Sequence, residues 1–381
     1  MTGKRPTITD VARHAGVSKA TVSAVLNESA PVKDATRDRV LAAIELLNYR
    51  PGGAHAARGG RGVGARRDRS VGLLIKEHDN PYYAAIIDGA RAVCDAEGYT
   101  LLVASSAGDY AAERRAVELL RAKDVDGLIV TPVLDQHADL SHLFELKRRN
   151  FPFVLLEEIR GVRASLVDVD NVVASRTAVE HLLALGHQRV AHLAGPSYSA
   201  HSQQRVDGVR LAYSASHLAH AAHTVVPAGA HLEDGYRAGL ALFGGSNAPT
   251  RPTAVTCYND LVAVGLCRAL RELGLRVPED VSVVGFDDIP LCEYVPVPLT
   301  TMHVPTFQMG EVAARMLLRH VESREPVPPQ RVDLAAELVV RSSTAPPAAL
   351  GAPPAALGRG AAGRRAGAKG RAPSKTPTAH A

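Results

Sequence analysis

Apolar residues follow two different rhythms along this chain. Up to about residue 50 they recur every three or four positions: Val11, Ala12 and Ala15, then Val22, Val25 and Leu26, then Val40, Ile44 and Leu47. This is the period of one buried helix face, and it predicts three short helices around a small core. Thr7 and Asp10 stand at capping-box spacing and start the first helix. Gly16 can take the left-handed conformation that stops it, and Ser18 caps the second helix, which runs to Asn27. The third is expected over 34–48. It ends at Tyr49-Arg50-Pro51, because the residue before a proline is pushed out of the helical region.

From Ser70 the rhythm changes to short β-branched runs that alternate with helical stretches. Strands are expected at 71–75, 101–104, 127–130 and 153–156, with helices at 84–97, 111–122 and 142–149 between them. A second series follows: helix 174–185, strand 190–193, helix from 206 to about 218, strand 224–226, helix 234–243, strand 254–257, helix 261–273, strand 281–284 and a later helix at 309–321. Such alternation implies parallel strands joined by right-handed helical crossovers, hence doubly wound sheets. The fold class is α/β behind an all-helical head. Four segments result: a head over 1–51, a Gly/Arg-rich linker over 52–69, a core over 70–344 and a tail over 345–381.

Charge separates these segments further. Residues 1–69 hold 13 basic and 6 acidic residues, and residues 345–381 hold 6 basic and no acidic ones; the body between them has 25 basic against 33 acidic, a net −8. Basic ends on an acidic body point to a polyanion partner for the ends alone. The tail is Ala, Pro, Gly, Arg and Lys with almost no large apolar side chain, so it is expected to stay disordered. Cys94, Cys257, Cys267 and Cys292 form no Cys-x-x-Cys pair, so reduced core thiols are expected rather than disulfides or a metal site. No signal segment or membrane span is read, and a cytoplasmic location is expected.

Helix, glycine-containing turn and second short helix make up a helix-turn-helix, whose second helix meets base edges in the major groove. With Asn27 and the later Thr36-Arg37-Asp38-Arg39-Val40, the stretch 7–27 resembles the lactose-repressor (LacI/GalR) family of bacterial transcription regulators. The resemblance continues almost to residue 344. It implies a periplasmic-binding-protein-like core of two lobes, with the chain returning to the first lobe near Thr301. The family's base-reading positions map to Lys19, Ala20 and Ala24. Lys19 can donate to guanine, Ala20 offers a methyl contact, and Ala24 lacks a direct reader. Thr7, Ser18, Thr21, Ser23 and Asn27 are short donors placed for phosphate anchoring. In the family a leucine of the linker wedges into the minor groove. Here Arg58 takes that place, and Arg58 and Arg61 are expected to contact phosphate or minor groove instead. The tail carries no leucine heptads, so a homodimer is expected.

Ligands of paired α/β lobes sit at the carboxyl ends of strands. Four clusters lie there: Asn80-Pro81-Tyr82-Tyr83, whose aromatic faces can stack on a ring; Gln204-Arg205-Val206-Asp207-Gly208; Tyr258-Asn259-Asp260; and Gly285-Phe286-Asp287-Asp288. The expected effector residues are Tyr82, Tyr83, Arg205, Asn259 and Asp287, with Arg205 matching the family's effector-binding arginine. The family resemblance makes a sugar the effector expected first; a carboxylate such as Asp287 can accept from two hydroxyls of a polyol or from a nucleobase N–H. The alternative is an effector-independent or purine- or nucleoside-responsive regulator.

Other function classes fit less well. A secreted solute-binding protein would share the core but lack the head. An enzyme would need a nucleophile or acid–base set, and neither Gly-x-Ser-x-Gly nor His-Glu-x-x-His occurs. No cofactor or metal is called for; His217, His220 and His223 lie three apart in an Ala-rich stretch that reads as a solvated face. The expected partners are operator DNA, a small effector and a second copy of the chain.

Overall fold

The computed structural model describes residues 7–27, 30–47, 69–134, 139–216, 223–245, 251–323 and 325–347. Arg58, Arg61 and the rest of the linker up to residue 68, the tail from residue 348 on, His217 and His220 lie outside the described residues, as do the side chains of Asn27 and His223. Among the described residues, no helix is long and apolar enough to cross a membrane.

The head is three helices, α1 (Ile8–Ala15), α2 (Lys19–Asn27) and α3 (Asp34–Leu46). Thr7 and Asp10 close the capping box: the Thr7 N–H and hydroxyl both donate to the Asp10 carboxylate, at 2.9 and 2.6 Å. Gly16 sits at φ 64°, where a Cβ would be strained, and turns the chain between α1 and α2. Val11, Ala12, Ala15, Val22, Val25, Val40 and Ala43 form the core. The four valines carry most of its burial, roughly 6–8 kcal/mol before entropy is charged against it, so the head tolerates little damage.

The core has two six-stranded sheets. The first contains β1 (Ser70–Ile75), β2 (Thr100–Ser105), β3 (Gly127–Val130), β4 (Phe153–Leu155), β5 (Ser165–Val169) and β11 (Arg331–Leu334), in the order β11-β5-β4-β3-β1-β2. The second contains β6 (Val190–Ala194), β7 (His223–Pro227), β8 (Ala254–Cys257), β9 (Ser282–Asp287), β10 (Thr300–His303) and β12 (Glu337–Val339), in the order β12-β10-β9-β8-β6-β7. All pairs are parallel except β10 with β12. Helices α4 (Pro81–Ala96), α5 (Tyr110–Ala122), α6 (Ser141–Arg148) and α12 (Thr306–Glu322) serve the first lobe; α7 (Asn171–Ala184), α8 (Ala200–Ala215), α9 (Leu232–Phe243), α10 (Asp260–Glu272) and the one-turn α11 (Leu291–Tyr294) belong to the second. Packing runs α12 along α4, α7 along α8 and α9 along α10.

Three differences from the sequence reading bear on function. Strands β5, β10, β11 and β12 were not anticipated: each is short and carries polar residues, such as Asp168 in β5 and Thr300 and Thr301 in β10. The chain returns to the first lobe directly after β10, close to Thr301, which itself lies inside that second-lobe strand. Two helices also begin earlier than expected. Asn80 accepts from the Tyr82 N–H with Pro81 in the first turn, so α4 starts at Pro81 and not at 84. Likewise α8 starts at Ala200 and not at 206, which puts Arg205 in its second turn. The chain crosses between lobes three times, after β5, after β10 and between β11 and β12.

Candidate functional site

In the head, α2 presents Lys19 and Ala20 fully to solvent, with Thr21, Ser23 and Ala24 half-buried. Ser18 accepts from the Thr21 N–H at 3.0 Å, and its hydroxyl lies 2.8 Å from the Thr21 hydroxyl. Ser18 and Thr7 therefore organise the helix starts as well as offering oxygens at the surface. Lys19 is the long donor at the exposed start of α2, and in helix-turn-helix proteins it is the start of the second helix that meets base edges.

In the core, Tyr82, Tyr83, Arg205, Asn259 and Asp287 all border one cavity between the lobes, together with Lys76, Glu77, Asn80, Thr131, Tyr198, Ser199, His201 and Tyr258. The space at its centre is about 30 Å³, the scale of one or two waters, whereas ligand sites run to roughly 300–1,000 Å³. Tyr82 and Tyr83 meet edge to face at 5.1 Å. The Arg205 guanidinium lies 3.5 Å from the centre of the Phe286 ring and 4.9 Å from that of Tyr258. Its Nε donates to Asn171 at 3.0 Å, Nη1 donates to the Tyr258 carbonyl, and Nη2 is 3.7 Å from the Asp287 carboxylate. Asn259 differs from the other four. Its oxygen accepts from the Val262 N–H and its amide donates to the Ala230 carbonyl, both at 2.9 Å. Its main work is to cap α10.

Asp287 sits at the end of β9 with φ 112°, followed by Asp288 at φ 60°. Such backbone persists only where surroundings over-determine it. Asp260 does so: wholly buried at the start of α10, it accepts from the Ile289 N–H at 2.9 Å and from the Thr301 hydroxyl at 2.5 Å. A Cβ at Gly285 would stand 2.0 Å from that carboxylate, so only glycine lets Asp260 approach.

Burial pushes the Asp260 carboxyl up to about 6, against the pull of the Thr301 and Ile289 hydrogen bonds. Burial likewise pushes Asp287 well up, with Arg205 opposing and Asp260 adding to the rise. Both groups hold a proton more tightly folded than unfolded. Their contribution to stability is full below the ordinary carboxylate range and is lost as pH rises through the folded values. For Asp260 that window runs from about pH 4 to 6, worth on the order of 3 kcal/mol. In thermal melts, Asp260→Asn should reduce the fall in Tm between about pH 4 and 6. An unchanged slope in the variant would refute the assignment.

Lys76, Glu77, Thr131, Tyr198, Ser199 and His201 escaped the sequence reading. Lys76 and Glu77 follow β1 directly, and the strand-end rule could have found them. The others depend on pairing across the cleft. The Tyr198 hydroxyl donates to Glu77 at 2.7 Å, and the Leu134 N–H donates to the Tyr198 carbonyl at 2.8 Å. His201 Nε2 lies 3.1 Å from the Asp168 carboxylate. Glu157, beyond β4, pairs with Lys76 and accepts from the N–H groups of Ala200 and His201 and from the Ser199 hydroxyl at the start of α8.

Comparison with known proteins agrees with this architecture. Residues 7–52 match the lacI family of bacterial regulatory proteins, and residues 179–344 match the periplasmic binding protein-like domain. The chain is 33% identical over 352 residues to the HTH-type transcriptional repressor PurR of Vibrio vulnificus, covering 88% of this chain and 98% of that one. It is 32% identical over 340 residues to the ribose operon repressor of Halalkalibacterium halodurans, covering 89% and 97%. Its fold is similar to that of the lac repressor dimer bound to operator and the anti-inducer ONPF, with TM-score 0.64, 28% identity and coverage of 90% and 100%. Head, two-lobed core and near full-length identity thus agree: the chain belongs to the lacI family of bacterial regulatory proteins and is a DNA-binding transcriptional repressor with a small-molecule effector, not an enzyme.

Proposed function

We propose that this repressor works as a cytoplasmic homodimer whose heads contact two adjacent half-sites and whose interlobe cavity takes an uncharged sugar. The observation that carries the effector reading is the convergence of Arg205 and Asp287 beside the Tyr82, Tyr83 and Tyr258 rings in one cavity. A fork of donors, an acceptor and aromatic faces match a ring that bears hydroxyls. The ribose operon repressor among its relatives supports a sugar, and the purine repressors keep a purine base as the second reading. A cavity this small must open to admit either, so the ligand acts on the lobe geometry. Only differential affinity for two lobe arrangements shifts DNA binding: about 1–3 kcal/mol of preference gives roughly 5- to 150-fold.

In the head, Lys19 reads a base and Ala20 makes a methyl contact, while Ala24 leaves its position unread. Thr7, Ser18, Thr21, Ser23 and Asn27 anchor phosphates, and Arg58 and Arg61 of the linker add phosphate or minor-groove contacts. Self-association is supported by an exposed apolar groove on the second lobe, formed by Val264, Leu275, Val277, Val295 and Val297 beside an open Tyr294. The deciding experiment maps bound sites across the genome. Near-palindromic sites beside genes for sugar uptake or breakdown are expected. Sites without twofold symmetry, or beside purine genes alone, would replace this reading.

A further inference from the structure

The first turn of α8 forms an anion seat on the second lobe, and the first lobe fills it from within. The N–H groups of Ala200 and His201 and the Ser199 hydroxyl all donate to one Glu157 oxygen, with the Ser199 and His201 contacts at 3.2 and 3.3 Å. The other oxygen is held by the Lys76 ammonium. Glu157 is wholly buried and the Lys76 side chain is 4% exposed. The Thr131 hydroxyl, 3% exposed and without a partner, opens onto the same cavity as Lys76, Ser199 and His201. A helix N-terminus beside a buried ammonium attracts a carboxylate or phosphate. Here the occupant belongs to the chain itself.

We propose that Glu157 determines what the cleft accepts: by occupying the seat made by Lys76 and the start of α8, it refuses anionic ligands and leaves the site to uncharged ones. The remaining charges agree. Arg205 is already matched with Asp287, Glu77 accepts from Tyr198, and Asp168 lies beside His201, so among the described residues no buried cation lining the cavity is left to receive a phosphate. A phosphorylated sugar would have to displace Glu157, stranding a buried carboxylate. The same carboxylate joins the lobes. Glu157 is thus a specificity-determining residue that acts without touching the ligand.

This inference rests on the cleft being the effector site, but its test needs no effector. Full-length wild type and Glu157→Ala are melted in inorganic phosphate and in chloride at matched ionic strength, and hydrogen exchange is followed at Ala200 and His201. The wild-type Tm should be the same in both salts. Glu157→Ala should melt lower in chloride, recover saturably with phosphate, and exchange at those two amides roughly tenfold faster until phosphate is added. A variant no more responsive to phosphate than wild type overturns the proposal, as does stabilisation of the wild type by D-ribose 5-phosphate. Should Glu157→Ala fold in neither salt, the neutral pair Glu157→Gln with Lys76→Met decides. Faster exchange at Ala200 and His201 with no phosphate effect supports the seat, and unchanged exchange refutes it. Loss of the effector reading itself would leave phosphate capture by the alanine variant unaltered, so the two failures are distinguishable.

Discussion

Arg205→Ala will lower the Tm of the core by on the order of 10 °C and remove its response to ligand. The guanidinium satisfies the Asn171 amide oxygen and the Tyr258 carbonyl, covers the Phe286 ring and faces Asp287, with 4% of its side chain exposed. Its removal leaves a buried carboxylate and two buried acceptors without a donor. Breaking a buried pair in this one-sided way costs about 3–5 kcal/mol, and in a domain of this size each kcal/mol moves Tm by roughly 2–4 °C. Arg205→Lys should recover less than half of the loss, because one ammonium cannot reach Asn171 and the Tyr258 carbonyl while lying flat on Phe286. Asp287→Asn behaves oppositely. Burial already disfavours the charged form of that carboxyl, so the amide should melt within a few degrees of wild type and still lose the ligand response. Calorimetry of the three variants tests this. An Arg205→Lys melt equal to wild type would show that the fork is not what matters.

Val22→Asp should abolish operator binding and leave the core untouched. Val22 is wholly buried, one of the seven small or β-branched residues that form the head's core among the described residues. An unpaired carboxylate there exceeds what so small a core can absorb, since domains of this size hold only a few kcal/mol in reserve. Once the head is unfolded, the specific part of DNA affinity goes with it, at least about 10³-fold. Fluorescence anisotropy on the mapped operator reads that loss, and the thermal transition of the core at its wild-type temperature shows that the modules are independent. A core transition that moves with the head would show the reverse.

The alternation of strands and helices from residue 70 was legible because buried parallel strands are continuous apolar runs such as Gly127–Val130 and Phe153–Leu155. The strands that escaped notice lack such runs. Arg331–Leu334 and Glu337–Val339 lie at sheet edges, the first with alternating exposure, and in Thr300–His303 only Met302 is apolar, Thr300 and Thr301 hydrogen-bonding inward to Thr344 and Asp260. In the cleft, Arg205 and Asp287 could be placed from strand ends and family pattern. Asn259, expected to bind the effector, lines the cavity, but its polar atoms serve α10 and the Ala230 carbonyl. Glu157 and Lys76 are 81 residues apart, and a charged residue just after a strand looks like any loop residue. Only the meeting of two lobes gives that pair meaning.

The three crossings between lobes also govern when this protein can work. The first sheet is built from 70–169 and finished by β11 at Arg331–Leu334, while α12, which packs along α4, comes from Thr306–Glu322. On a ribosome, where domains fold N-terminal first at about 5–20 residues per second, the head is complete long before either lobe can close. At that rate the nascent chain carries a finished head with no lobe yet complete for roughly 15 to 55 seconds. An interrupted message would therefore yield chains carrying the head without a finished core.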